Sequence, residues 1–429
     1  MPVLPSGKSS LARRFAVLRT PNVRRFFVGY LTSNVGTAMS SLALAFAVLE
    51  SGHGASGLGV VFAAGIVPQV AFMLAGGVIA DRLGRRQVML TADVVRTASQ
   101  ATLAALVFAG SPPIWVFAAL AAVVGIGDAF FTPALNGLTV EVAKREELSD
   151  ANALFGMANS GSQVVGPALA GIVISLTDPA TVLALDAGTY FVSAIALARL
   201  DLANVSLRSQ PLIRQLVAGW EEFRSRRWVW LITTQFALFN LLTWGPFLLL
   251  GPVVARQSLD GARSWGFILG GYGAGSVVGG LLALGRRPRR PLTVALLATL
   301  GYPVPVALLA LGAPTGEIVL AAVVGGIGAA VFGIFWSTTI QHEIPAEAQA
   351  RVSAFALVGA YSAGPIAYAA AGPIAAATSA RTVLGFGAAW SILATLAVLS
   401  TRSVRGMAWP APSHVADVRP STGTEVPVP

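Results

Sequence analysis

The chain is 429 residues long, 55% hydrophobic and only 11% charged, against roughly 25% charged in a typical soluble domain. A soluble protein of two or three domains is therefore excluded, and a mean hydropathy of +0.71 agrees. The absence of cysteine removes disulfides, thiolate metal sites and cysteine nucleophiles, and three scattered histidines (His53, His342, His414) form no metal cluster, so neither a metal nor another cofactor is expected.

In chain order, residues 1–25 are polar and basic, and the apolar run that follows is too long for the h-region of a cleavable signal. A membrane helix needs about 20 apolar residues to cross roughly 30 Å of hydrocarbon. Windows 26–49 and 57–80 contain no Asp, Glu, Lys or Arg. Three apolar windows carry embedded charges: 87–110 with Asp93 and Arg96, 114–140 with Asp128, and 179–198 with Asp186; uncharged 151–177 lies between the last two. Segment 200–227 interrupts the pattern. Its Leu212, Ile213, Leu216, Val217, Trp220 and Phe223 share one helical face, which reads as an amphipathic helix on the inner leaflet or as a plain tether. Six uncharged windows follow: 228–255, 264–285, 291–316, 318–342, 352–380 and 382–401. Residues 402–429, rich in Pro, Ser and Val, read as a disordered cytoplasmic tail.

These runs are too long and too uniform for barrel strands. The expectation is an all-α integral membrane protein with twelve transmembrane helices in two pseudo-symmetric six-helix bundles, 26–199 and 228–401. With the N-terminus inside, 25 of the 29 Lys and Arg residues fall on the cytoplasmic face, so both termini are expected to be cytoplasmic. The net charge of +10 is then an orientation signal, not a nucleic-acid footprint. The halves echo each other: Gly76-Gly77 recurs as Gly279-Gly280, an offset of 203, and 142–151 parallels 344–353, an offset of 202. Six-helix repeats around a midplane site are a transporter architecture.

The loop after the second span contains Gly77, Asp81, Arg82, Gly84, Arg85 and Arg86. Gly77 permits close helix approach and Gly84 a tight turn; Asp81 suits a helix N-terminus; the arginines suit carboxylates or anionic head groups. The order G-x-x-x-D-R-x-G-R-R resembles the cytoplasmic signature of the major facilitator superfamily, with Gln87 where a further basic residue stands in the family. The resemblance extends over the whole chain by span count and central linker. It implies alternating access, with Asp81, Arg82, Arg85 and Arg86 acting as gating residues rather than as a substrate site. Glu141, at the inner end of span four, is expected to pair with one of these arginines.

Span five carries Gly161, Gly166, Pro167 and Gly171. This is similar to the Gly-Pro motif of the superfamily's antiporters, although small residues and a proline also simply permit packing and a kink. Leu148 to Leu154 and Phe131 to Ala134 resemble the macrolide-efflux and enterobactin-exporter branch, which implies export of bulky amphiphiles in exchange for protons. One departure matters. Gly125 and Gly127 are present in span four, but Val116 to Val124 lacks the arginine that many drug antiporters place there, so its proton-coupling role cannot be transferred.

Charges within spans are expensive, roughly 2.5–3.5 kcal/mol each on insertion scales. Asp128, at or a little beyond mid-membrane, is the candidate for proton coupling or substrate recognition, with a structural carboxylate as the alternative. Asp93 and Arg96, three residues apart, are expected to form an intrahelical ion pair. Asp186 is expected within a turn or two of the outer end of its span, in reach of water. By the resemblance, spans one, four, seven and ten line the central cavity, which makes Asn34, Asp128, Asn136, Gln235, Phe239, Asn240, Trp244, Phe332 and Trp336 the candidate lining. Such an amide and aromatic set suits a large, partly apolar molecule that tolerates positive charge; packing is the alternative for each aromatic.

The resulting expectation is a secondary exporter of drugs or bulky amphiphilic metabolites in a bacterial cytoplasmic membrane, acting as a monomer among membrane lipids and driven by protons. A narrow siderophore or metabolite exporter, an importer and a lipid flippase remain open on the same scaffold. An enzyme is not expected, since no nucleophile–base constellation and no phosphate-binding loop are present.

Overall fold

The computed structural model describes residues 17–201, 220–221 and 223–407. Most of the 200–227 linker, the first sixteen residues and nearly all of the 402–429 tail lie outside the described residues. No strand occurs among the described residues. The N-terminal half comprises α1 (Pro21–Glu50), α2 (Gly54–Leu83), α3 (Arg85–Ala109), α4 (Ile114–Val142), α5 (Leu148–Leu176) and α6 (Pro179–Ala198). The C-terminal half comprises α7 (Arg227–Phe239, a π-helical turn at Asn240–Trp244, then Gly245–Ser258), α8 (Gly261–Ala283), α9 (Pro291–Thr299 and Pro303–Leu311), α10 (Thr315–Glu343), α11 (Ala346–Tyr361 and Gly364–Ala377) and α12 (Ala380–Ser400). Ten helical stretches are long and apolar enough to cross a membrane; α3, diluted by its charges, and α5 are the two long helices outside that set.

The ends follow local chemistry. Asp178 caps α6 by accepting from the Thr181 backbone N–H at 2.7 Å, with Pro179 opening the helix, and Ser379 caps α12 through Thr382. Gly84 turns the chain from α2 into α3 at φ +93°, a conformation that disfavours side chains.

Helices in lipid gain little from hydrophobic association, so close packing of small residues holds them. A side chain at Gly125 of α4 would collide with the Gly65 carbonyl of α2, and one at Gly326 of α10 with the Tyr272 carbonyl of α8. The pairs α2–α4 and α8–α10 therefore share one construction, as the repeat requires. Among the described residues, the halves meet chiefly through α5–α8 and α2–α11, towards one end. There a Cβ on Gly171 would lie 2.7 Å from the Ala262 carbonyl oxygen and one on Gly372 2.6 Å from that of Ala55. The Arg256 guanidinium also donates to the Leu49 carbonyl across the same seam. At the opposite end, which carries the Asp81–Arg86 loop, hydrogen bonds and ion pairs between described residues stay within one half.

Candidate functional site: a buried ion cluster on a cavity between the halves

Three elements build the charged wall. On α3, Asp93, Arg96 and Gln100 share one face by their i, i+3 and i+7 spacing. Gly127 of α4 makes room for Arg96: a Cβ there would lie 2.7 Å from Arg96 Cγ. With that space open, Arg96 Nη1 donates to Asp128 Oδ1 at 2.7 Å and Nη2 donates to Asp93. Its guanidinium is stacked 4.2 Å from the Phe131 ring centre and 4.5 Å from that of Tyr190. The intrahelical pair expected on α3 is thus one side of a triad. The guanidinium beside the Gly125–Gly127 segment, missing from span four, arrives from span three.

Exposure separates the triad's members. Asp93 is fully buried and Arg96 is 3% exposed, whereas the Asp128 side chain is 23% exposed. Asp128 faces a cavity of about 300 Å³ lined by both halves. The N-terminal half supplies its polar wall, with Thr37 and Ser40 of α1, Gln69 of α2, Gln100 and Tyr190; the C-terminal half supplies Leu248, Pro252, Trp265, Leu269 and Tyr368. Asp186 corrects the expectation of a water-reached carboxylate. It is 1% exposed, covered by α1 and α3, and accepts from Gln100 Nε2 at 2.8 Å.

A second cavity of about 830 Å³ lies within the C-terminal half, lined by Phe236, Tyr272, Tyr302, Phe332, Trp336 and Tyr361 together with Gln341 and Gln349. Phe236, Phe332 and Trp336 form a near-parallel stack, with ring centres 4.7 and 6.1 Å apart. Phe332 and Trp336 therefore face open volume. Gln235, Phe239, Asn240 and Trp244 line neither of these two cavities. Gln235 is buried and donates to Thr395 at 3.0 Å, Phe239 packs on Tyr302, and Trp244 packs on Phe247 and Tyr272. Asn240 donates to the carbonyls of Phe236 and Ala360 at 3.0 and 3.2 Å. Asn34 lines neither cavity, and its Nδ2 is buried without a hydrogen-bond partner among the described residues. Asn136 lies on α4, and its side chain is outside the described ones.

At the loop end, Arg85 donates to Asp81 at 2.9 Å and to Glu141 at 3.1 Å. Arg86 donates to the Leu197 carbonyl at 2.9 Å, covering the C-terminus of α6, while Arg82 is exposed. In α5, Gly166 abuts Ala38 of α1, the Pro167 carbonyl and Gly171 abut Gly266 of α8, and Gly161 faces open space. Reading the sequence missed Tyr190 and Gln100 at the cavity; their positions four after Asp186 and four after Arg96 were the available signal.

The comparisons with known proteins agree with this architecture. The chain is 26% identical over 388 residues to the multidrug efflux pump Tap of Mycolicibacterium fortuitum, covering 87% of this chain and 94% of that one. It is 25% identical over 261 residues to macrolide efflux protein A of Streptococcus pyogenes, covering 60% of this chain and only 64% of the relative's length. Its fold is similar to that of the nucleoside transporter NupG, with a TM-score of 0.67 at 13% identity over 88% of this chain and 98% of that one. It is also similar to a bacterial homologue of the lysosomal transporter Spinster in an inward-facing, unoccupied conformation, with a TM-score of 0.64 at 12% identity over 93% and 99%. The Major Facilitator Superfamily model matches residues 26–368, and the chain belongs to that family of membrane transporters.

Proposed function

We propose that the protein exports amphiphilic, cation-tolerant small molecules from the bacterial cytoplasm in exchange for protons, by alternating access. The observation that carries this reading is Asp128: it alone of the buried triad reaches the cavity shared by both halves. A proton or a substrate cation entering that cavity meets Asp128 first, and either one competes with Arg96 for the carboxylate. In a low-dielectric site that competition is strong, because each charge is only weakly screened. Proton and cation then exclude each other, which is the requirement for antiport. The aromatic cavity supports the amphiphile reading, since its faces attract bulky apolar or cationic molecules and its described lining carries no charge. The similarity to efflux proteins favours export over import, and Pro167 and Gly171 of the antiporter-like motif of α5 stand on the seam between the halves.

With both termini cytoplasmic, the open end faces the cytoplasm, and Arg85 between Asp81 and Glu141 is one side of a gate that must rearrange when that end closes. The protein acts as a monomer among membrane lipids in this reading. The test is efflux of preloaded ethidium from cells expressing the protein, with and without a protonophore and across external pH. Depletion should collapse on uncoupling, and Asp128→Asn should abolish its pH dependence. Normal pH-dependent efflux by Asp128→Asn would sink the role of this carboxylate.

A further inference from the structure

The ion triad leaves one carboxylate unaccounted for. Among the described residues, the interior of α1–α6 holds three buried or half-buried carboxylates (Asp93, Asp128, Asp186) and a single guanidinium, Arg96. Arg96 commits Nη1 to Asp128 and Nη2 to Asp93, and neither of these hydrogen bonds goes to Asp186. Among the described residues, Asp186, 1% exposed, receives hydrogen bonds only from neutral donors, Ser40, Gln100 and Thr189. Gln100 Nε2 donates to its Oδ2 at 2.8 Å and also to Ser40 Oγ. Thr189 Oγ1 donates to the Asp186 main-chain carbonyl at 2.7 Å and lies 3.3 Å from Oδ1. That hydroxyl has one proton for two acceptors, so Oδ1 receives only the longer arm of a shared bond. A protonated Oδ1 can in turn donate to Thr189 Oγ1. A buried ionised carboxylate without a cation is also costly.

We infer that Asp186 is a second proton-carrying site, distinct from Asp128 and joined to the central cavity through Gln100 and Ser40. The role in transport rests on the antiport reading above; the protonation itself does not. The path is short, because the Ser40 hydroxyl lines the cavity and acts on the Asp186 carboxyl, while Gln100 Nε2 donates to both and orients them. On loading, Ser40 Oγ takes a proton from cavity water and passes its own to the Asp186 carboxylate, giving a neutral acid. On unloading, the same proton returns to water and the carboxylate keeps the Gln100 amide. The groups facing the site are Thr37 and Ser40 of α1, Arg96 and Gln100 of α3, Asp128 of α4, and Thr189 and Tyr190 of α6. Tyr190 is held by Thr37 at 2.9 Å and stacks on the Arg96 guanidinium, whose charge reaches Asp186 without a hydrogen bond to it. Gly36 lets α1 close over the site, since a side chain there would collide with Thr189 and Asp186.

The test is infrared spectroscopy of the full-length protein in lipid nanodiscs at neutral pH, reading the carbonyl stretch of protonated carboxyl groups. Wild type should show such a band, and Asp186→Asn should remove it while Asp128→Asn keeps it. Gln100→Leu, which deletes a donor to the carboxyl but retains Asp186, should shift the band, and this keeps the inference testable if Asp186→Asn fails to fold. A band lost in Asp128→Asn and retained in Asp186→Asn would overturn the inference and leave the antiport reading standing. Absence of any band in wild type would overturn it as well. A band assigned to Asp186 together with uncoupler-insensitive ethidium efflux would leave the inference intact and remove the antiport reading instead.

Discussion

The two halves share helix pairings and even glycine contacts, yet they spend their interiors differently. The 203-residue offset that relates Gly76-Gly77 to Gly279-Gly280 carries Asp93 to Leu296 and Arg96 to Thr299. Leu296 is a buried hydrophobe, and Thr299 donates to its own helix and lies 3.5 Å from Thr395. Where the N-terminal half places a guanidinium between carboxylates, the C-terminal half places hydroxyls, an amide and rings. The C-terminal half also interrupts α7, α9 and α11, which run unbroken as α1, α3 and α5 in its counterpart. An unbroken scaffold thus holds the charges, while the segmented one supplies open aromatic volume and places to bend. One repeat has been divided into a half suited to ions and a half suited to an amphiphile.

Replacing the repeat mates tests that division most severely. Arg96→Ala strands Asp93 and Asp128 and should cost about 3–5 kcal/mol, whereas Thr299→Val should cost about 1 kcal/mol; thermal unfolding in nanodiscs compares them, and equal losses would erase the contrast. Next comes Gly127→Val. Its Cβ would occupy the space of the Arg96 side chain, and overpacking of this kind costs about 1–3 kcal/mol. At either repeat offset the corresponding position is alanine, Ala329 or Ala330, as a half without the guanidinium allows. Asn240→Ala removes the side-chain donor that ties α7, at the start of its π-turn, to the Ala360 carbonyl near the end of the first segment of α11, at about 1–3 kcal/mol. Transport rate, measured beside unfolding, should fall as well if that joint bends during the cycle. The smallest effect is expected for Trp336→Ala. Loss of one exposed cation–π face is worth about 0.5–1 kcal/mol, so ethidium affinity should weaken by roughly two- to fivefold, read by fluorescence titration of the purified protein.

Much of this was legible in the chain. The Asp81–Arg86 loop and Glu141 were readable as partners because both stand at helix ends on the same side of the membrane, and Arg85 joins them. The Asp93–Arg96 pair followed from spacing along one helix. Asp186 was misjudged because position along a helix gives depth but says nothing of which neighbours cover it; α1 and α3 exclude water there. Gln235 and Asn240 were placed at the cavity because the resemblance makes their span line it, and membership of a span does not say which of its faces turns inward.

Sequence by itself determined an all-helical membrane protein, its division into two related halves and the loop that marks its family. Each of these depends on hydropathy, helix hydrogen bonding and turn chemistry within about one helix length. Only the tertiary structure decided that Arg96 meets Asp128 across 32 positions of sequence and Gln100 meets Asp186 across 86. Those meetings depend on glycines such as Gly127 and Gly36 admitting one helix against another. Such close approaches are properties of helix pairs, and no single segment contains them.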